Sequence, residues 1–171
     1  MLFRSELFAR CDELLVQALE ENRRIAHDLR PTDLDELGLA DACRNFCREF
    51  QARTNLVVKT RFARFPQRCP PDMELNLFRI VQESLNNVEK HADARTVRLQ
   101  IAFPRGGLVL TIQDNGRGFD PNAVKPAIRK REGIGLTNIR ERATILGGTC
   151  KVESAPNQGT TIIVRVPCQA H

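Results

Sequence analysis

Residues 77–93 read LFRIVQESLNNVEKHAD, and the rest of the chain is organised around this stretch. At helical spacing, Met73, Leu77, Ile80, Val81, Ser84, Leu85 and Val88 fall on one side, mostly apolar and fit to bury. Glu83, Asn87, Lys90 and His91 fall on an adjacent stripe, where Glu83 and Asn87, four residues apart, are neighbours. A carboxylate, an amide oxygen, an ammonium and an imidazole beside a buried face suit a metal and a phosphate. A solvated helix face has the same composition, so this stretch alone leaves both readings open.

Upstream, residues from about Glu6 to Leu29 predict one amphipathic helix with Leu7, Leu14, Leu15, Ala18, Leu19, Ile25, Ala26 and Leu29 along its stripe. Pro31 ends it, since proline disfavours helical geometry in the residue before it and has no amide to donate. A helix this apolar needs a partner surface, as in a dimeric bundle. Asp33–Leu39 (DLDELGL) reads as a turn-like link, Leu39–Thr54 as a second helix and Leu56–Phe62 as an alternating strand. Phe65–Pro71, with its three prolines, is a loop before the helix that starts at Asp72.

Downstream, Thr96–Phe103 is a strand, Arg105-Gly106-Gly107 a hairpin turn, and Leu108–Asp114 (LVLTIQD) a strand that runs into Asn115-Gly116-Arg117-Gly118-Phe119. A basic segment without periodicity, Asp120–Glu132, precedes a glycine-led helix over Gly133–Leu146. Strands over Thr149–Ser154 and Thr160–Val166 close the chain. From about residue 55 the order is strand, helix, two strands, helix, two strands. That order predicts an α+β fold, a two-layer α/β sandwich with helices on one face of a mixed sheet, preceded by the long N-terminal helix.

With 171 residues, 42% apolar and 27% charged, the chain suits one ordinary domain with an appendage. No run approaches the roughly 18 apolar residues of a membrane-spanning helix, and the opening MLFRSELFARCDELL is too charged for a signal peptide. A net charge of +5 suits a polyanion such as a nucleotide without demanding nucleic acid. With no Trp or Tyr, base stacking has only Phe to draw on. The six cysteines, Cys11, Cys43, Cys47, Cys69, Cys150 and Cys168, form no C-x-x-C pair and have no histidine at zinc spacing, so a reduced, cytoplasmic setting is expected.

Two glycine boxes follow the opening helix. In Asp114-x-Gly116-x-Gly118 the aspartate can accept from an exocyclic amine, and the glycines let backbone approach a flat ring. Gly133-Ile134-Gly135-Leu136 opens a helix, where free amides and the dipole favour an anion. It is neither a dinucleotide fingerprint nor a Walker loop. Each box alone is weak.

Together, E-x-x-x-N on a helix, D-x-G-x-G, G-x-G-L and a closing Gly159-Thr160 strand, in this order, resemble the Bergerat-fold ATPases. That superfamily holds gyrase, heat-shock chaperones, mismatch-repair proteins and sensor histidine kinases. QESLNNVEKHADA, DNGRGFD and GIGLTNIRERATILGGTCKVESAPNQGTTIIVRVP look like the histidine-kinase branch, in the class that signals to response regulators with a helix-turn-helix output. HDLRPTDLDELGLADA resembles the second helix of that class's dimerisation and phosphotransfer domain and its link to the catalytic domain. The resemblance thus implies that residues 1–32 are that helix and linker and residues 33–171 the ATP-binding catalytic domain.

The resemblance implies ATP and Mg²⁺ as cofactors. It makes Asn87 the Mg²⁺ ligand through its side-chain oxygen, and Glu83 the group that orients or deprotonates the incoming acceptor or holds a metal-bound water. Lys90 and His91 lie near the phosphates. Asp114 reads the adenine amino group, Gly116 and Gly118 shape the adenine pocket, and Thr160 supports the base. Gly133 and Gly135, ahead of Leu136, wrap the triphosphate, and Lys125, Arg129, Lys130 and Arg131 form a basic lid or a solvated loop. The family's phosphoacceptor histidine lies in the first helix of the bundle. His27, followed by Asp28, is the candidate here, but it is embedded in LRP…LGL, which matches the second helix. The expectation is therefore a fragment without its acceptor helix, dimeric in the full protein, attached to a membrane only through a missing N-terminal part, and without direct contact to nucleic acid. An anti-sigma-factor serine kinase is the alternative, and the bundle helix argues against it. Chaperone-like ATPases have a longer lid, and a non-nucleotide module would not keep Glu83, Asn87, Asp114 and the glycines.

Overall fold

The computed structural model describes residues 32–64, 68–104, 107–120 and 134–167. The long N-terminal helix with His27, the basic segment with Lys125, Arg129, Lys130 and Arg131, and Gly133 lie outside these residues. The described elements are α1 (Thr32–Leu37), α2 (Leu39–Arg53), β1 (Val57–Phe62), α3 (Pro71–Asn87) with a π-helical turn (Val88–Ala92), β2 (Thr96–Ala102), β3 (Gly107–Asp114), α4 (Ile134–Ile145), β4 (Thr149–Ser154) and β5 (Thr160–Pro167). The strands form one sheet in the order β1-β2-β3-β5-β4. Strands β1 and β2 run parallel across α3, and every other pair is antiparallel. The expected mixed sheet and α+β sandwich are present.

Alternation decides which face is covered. Val97, Leu99 and Ile101 of β2, Leu108, Leu110 and Ile112 of β3, and Ile162, Val164 and Val166 of β5 are buried, whereas Arg98, Gln100, Gln113 and Arg165 are exposed. Each fully buried aliphatic side chain contributes about 1.5–3 kcal/mol. The register stacks them in rungs across the strands. One rung is Ile101, Leu110, Val164 and Cys150, and the next is Leu99, Ile112, Ile162 and Val152. One step further the partners turn polar: Val97 faces Asp114 on β2–β3, and Thr160 faces Ser154 on β5–β4. The apolar floor ends there.

Helix α3 begins with proline at its first turn, where the missing amide costs nothing, and with Asp72 and Glu74 on the positive end of the dipole. It buries Leu77, Phe78, Ile80, Val81, Ser84 and Leu85. Helix α2 buries Leu39, Ala42, Cys43, Cys47 and Phe50, and Phe46 meets Phe78 edge-on at 5.7 Å between ring centroids. Burial raises the Cys43 thiol well above its usual range and pushes Cys47 up to about 12, so both serve as small apolar side chains.

The structure corrects one expectation. Residues 33–39 are not a turn-like link, because Thr32–Leu37 is a helix, and Gly38, at φ 79°, makes the break before α2. A helix this short lacks the local energy to form alone. Leu34 anchors it, fully buried, and Arg68 donates from Nη2 to the Leu34 and Asp35 carbonyls at 2.7 and 2.5 Å. Arg68 Nε lies 3.4 Å from the buried Glu74 carboxylate, which ties this corner to α3.

Candidate functional site

A cavity of about 220 Å³ opens where the apolar rungs stop. One wall is Ser84, Asn87, Val88, His91 and Ala92, from the end of α3 and the π-turn. The widened turn replaces α-helical spacing after Asn87, a local irregularity often found at functional sites. It ends at Asp93 in a left-handed conformation, φ 50°. The Arg117 amide donates to the Ala92 carbonyl at 2.7 Å, and a Cβ on Gly116 would collide with the same oxygen. Only glycine allows the β3 loop to pack so closely on the π-turn. Asn115 Oδ1 fastens the loop from the other side, accepting from the Arg95 and Thr96 amides at 3.0 and 2.8 Å.

The opposite wall carries Asp114 at the end of β3, followed by Arg117, Gly118 and Phe119, and Thr160 and Ile162 of β5. Asp114 is only 6% exposed. Burial raises its carboxyl above the ordinary aspartate range, while hydrogen bonds from the Gly116 and Thr160 amides oppose the shift. The Gly116 bond is 2.8 Å long. As a carboxylate, Asp114 is a fixed acceptor facing a small, mostly apolar chamber, suited to an amine on a flat ring.

At the other end, α4 approaches α3 through Gly135. A Cβ there would lie 2.7 Å from Asn87 Oδ1 and 2.9 Å from Asn87 Nδ2, and would collide with Glu83 Oε1. The glycine therefore brings the start of α4 against both polar side chains that the opening helix stripe singled out. Asn87 Nδ2 is buried with no hydrogen-bond partner among the described residues. A half-turn about the last side-chain bond exchanges the amide's oxygen and nitrogen, so either atom can be turned to a ligand. An unsatisfied buried amide costs about 1–3 kcal/mol and calls for a partner. Among the described residues no three His, Cys, Asp or Glu side chains gather into a metal cage. One amide oxygen beside a carboxylate fits a hard cation that completes its shell with phosphate and water, as Mg²⁺ does, and does not fit zinc.

The structure thus brings Asn87, His91, Asp114, Gly118, Leu136 and Thr160 to one cavity. Glu83 stands beside Asn87 against Gly135, and Gly116 lies behind the wall against Ala92. Lys90 is exposed and is not among the wall residues. Sequence reasoning missed Ser84, Val88, Ala92, Arg117, Phe119 and Ile162 as wall residues. Ser84 and Val88 carried a signal, since they sit four residues apart on the buried stripe, but they read there as core.

The comparisons with known proteins cover the part of the chain that builds this cavity. Residues 72–170 fit the profile of the histidine kinase-, DNA gyrase B- and HSP90-like ATPases. The chain belongs to this family. Within it, the chain is 36% identical over 156 residues to the signal transduction histidine-protein kinase/phosphatase DegS of Brevibacillus brevis, covering 91% of the chain and 39% of that protein. It is 36% identical over 159 residues to the sensor histidine kinase MctS of Rhizobium johnstonii, covering 93% of the chain and 34% of that protein. The chain therefore spans little more than a third of these relatives' length. Among solved structures, the ATP-binding domain of PrrB from Mycobacterium tuberculosis superposes with a TM-score of 0.55 at 25% identity, over 77% of this chain and 92% of that one. The histidine kinase domain of the Erythrobacter litoralis EL346 blue-light activated kinase shares the fold at a TM-score of 0.61 and 20% identity, over 73% of this chain and 58% of that one. This ATPase-family chain has no helix among its described residues long and apolar enough to cross a membrane.

Proposed function

We propose that the chain binds Mg-ATP in this cavity and donates the γ-phosphate to a histidine of the kinase's own dimerisation domain, for relay to a response regulator with a helix-turn-helix output. One observation carries the reading. A single cavity has a buried acceptor, Asp114, on one wall and an unsatisfied amide, Asn87, with Glu83 beside it, toward Gly135.

Asp114 accepts from the adenine amino group, and Thr160 supports the base next to it. Gly116 and Gly118 keep the pocket walls thin. Asn87 offers its side-chain oxygen to Mg²⁺, which would neutralise charge on the β- and γ-phosphates. Glu83 orients the incoming imidazole or holds a bound water, Lys90 and His91 lie near the phosphates, and Gly133 and Gly135, ahead of Leu136, wrap the triphosphate. Phosphoryl transfer asks for positioning and charge neutralisation more than covalent chemistry from the protein. The acceptor is assigned to a histidine on the bundle's first helix and not to His27, and the domain boundary to residues 32–33. The reaction is assigned to the cytoplasm.

Incubating the 171-residue chain with γ-labelled ATP, Mg²⁺ and a separately supplied dimerisation domain tests this. Acid-labile, base-stable label on that domain, absent in EDTA, is expected. Nucleotide binding without transfer would leave an ATP-binding module, and acid-stable label would point to the serine-kinase alternative.

A further inference from the structure

We infer that Ser154 is a positioning residue that sets the proton direction at Thr160, so that Asp114 and Thr160 both face the base as acceptors and select an amino-purine over an oxo-purine. The inference rests on the nucleotide reading above and deepens it.

Ser154 sits on β4 opposite Thr160 of β5, and only Thr160 of the two lines the cavity. The Ser154 hydroxyl touches three groups. The Phe119 amide donates to its Oγ at 2.9 Å, the Gly159 carbonyl lies 3.0 Å away, and Thr160 Oγ1 lies 3.0 Å away. A hydroxyl has one proton and two lone pairs. The Gly159 carbonyl can only accept, so it takes the one proton of Ser154. The Phe119 amide can only donate, so it takes one lone pair. A single lone pair remains, and the contact with Thr160 is satisfied only if Thr160 is the donor.

That assignment spends the Thr160 proton inside the wall. What Thr160 has left for the cavity is lone pairs, next to the Asp114 carboxylate, which also only accepts. The surrounding backbone holds this arrangement in place. Gly159, at φ 73°, packs so that a Cβ would strike the Asp114 carbonyl, and Gly118, at φ 57°, so that a Cβ would strike the Ala155 carbonyl. A base edge that donates, directly or through a water, meets two acceptors. The C6 oxygen of an oxo-purine finds no donor in either Asp114 or Thr160.

The test is calorimetric binding of ATP and of inosine triphosphate to the 171-residue chain, read as the ratio of the two dissociation constants. Wild type should favour ATP. Ser154→Ala frees the Thr160 proton to rotate into the cavity, and the preference should shrink by about tenfold, the scale of one hydrogen bond. Ser154→Thr keeps the hydroxyl and should restore the preference. In a Thr160→Val background, Ser154→Ala should leave the ratio unchanged, since no hydroxyl remains to reorient. A merely structural Ser154 would weaken both nucleotides equally at constant ratio, and that result overturns the inference. If Ser154→Ala fails to fold, Thr160→Val alone must still lower the preference, and an unchanged ratio overturns it equally. Wild type that binds neither nucleotide overturns the nucleotide reading itself, a result distinct from binding with an insensitive ratio.

Discussion

Replacing Asp114 by asparagine tests the orientation of the ligand with the least disturbance of shape. The carboxylate is 6% exposed and already accepts from the amides of Gly116 and Thr160. In the proposed complex the adenine amino group claims a further lone pair. Asparagine is nearly isosteric but has one acceptor oxygen, and its NH₂ must face a backbone amide or the ligand's amine, donor against donor. A hydrogen bond to a charged group contributes about 1.5–3 kcal/mol, and every 1.4 kcal/mol is about tenfold in Kd. ATP affinity of Asp114→Asn, measured by calorimetry, should therefore fall roughly tenfold to a hundredfold. Thermal melting checks that the variant is folded. Affinity within about twofold of wild type, in a folded variant, would refute the assignment of Asp114 to the base.

The raised carboxyl adds a pH dependence. Adenosine has no phosphate to titrate, so its affinity should fall on acidification as Asp114 protonates, beginning above the ordinary aspartate value of about 3.9, with Asp114→Asn flat over the same range. For the free protein the sign is opposite. The folded state binds this proton more tightly, so the contribution to stability is fully present below the unfolded value and is lost as pH rises through the folded one. Relative to Asp114→Asn, the wild-type melting temperature should decline across that window; a difference independent of pH would contradict the burial argument. Asn87→Ala should make ATP affinity the same in Mg²⁺ and in EDTA, and surviving Mg²⁺ stimulation would remove Asn87 from the metal. Gly135→Ala pushes aside the flexible ends of Glu83 and Asn87, so the fold should persist with ATP affinity down about tenfold and adenosine affinity unchanged. Equal loss for both ligands would show that the damage is not confined to the phosphate end. Leu99→Ala, at a fully buried position in β2, should cost about 2–5 kcal/mol in urea unfolding, and a loss below about 1 kcal/mol would mean the site collapses around the gap.

What the sequence made legible was local. Strands β2, β3 and β5 alternate cleanly because one face is covered and the other is wet. Asp114 was legible because its chemistry, its glycines and its place at a strand end lie within five residues. Glu83 and Asn87 were legible because helical spacing makes them neighbours. The parts that were not legible depend on distant partners. Helix α1 exists because Arg68, more than thirty residues away, satisfies its carbonyls. Ser154 looks like an ordinary strand residue until the β4–β5 register sets it against Thr160. Nothing in Val88-Glu89-Lys90-His91-Ala92 announces a π-turn rather than another α-helical turn, because the cause lies in the loop that Ala92 receives.

That turn makes the cavity wall depend on a count of residues as well as on their kind. A substitution within Val88–Ala92 changes one side chain, but a single-residue deletion lets the segment relax into a regular α-helix. His91 would rotate away from the cavity, and the Ala92 carbonyl would leave the Arg117 amide that now donates to it at 2.7 Å. The shortened chain would have a more regular helix and a poorer ligand wall. Insertions and deletions in this segment are therefore expected to damage binding far more than point changes of similar size, even where the fold survives them.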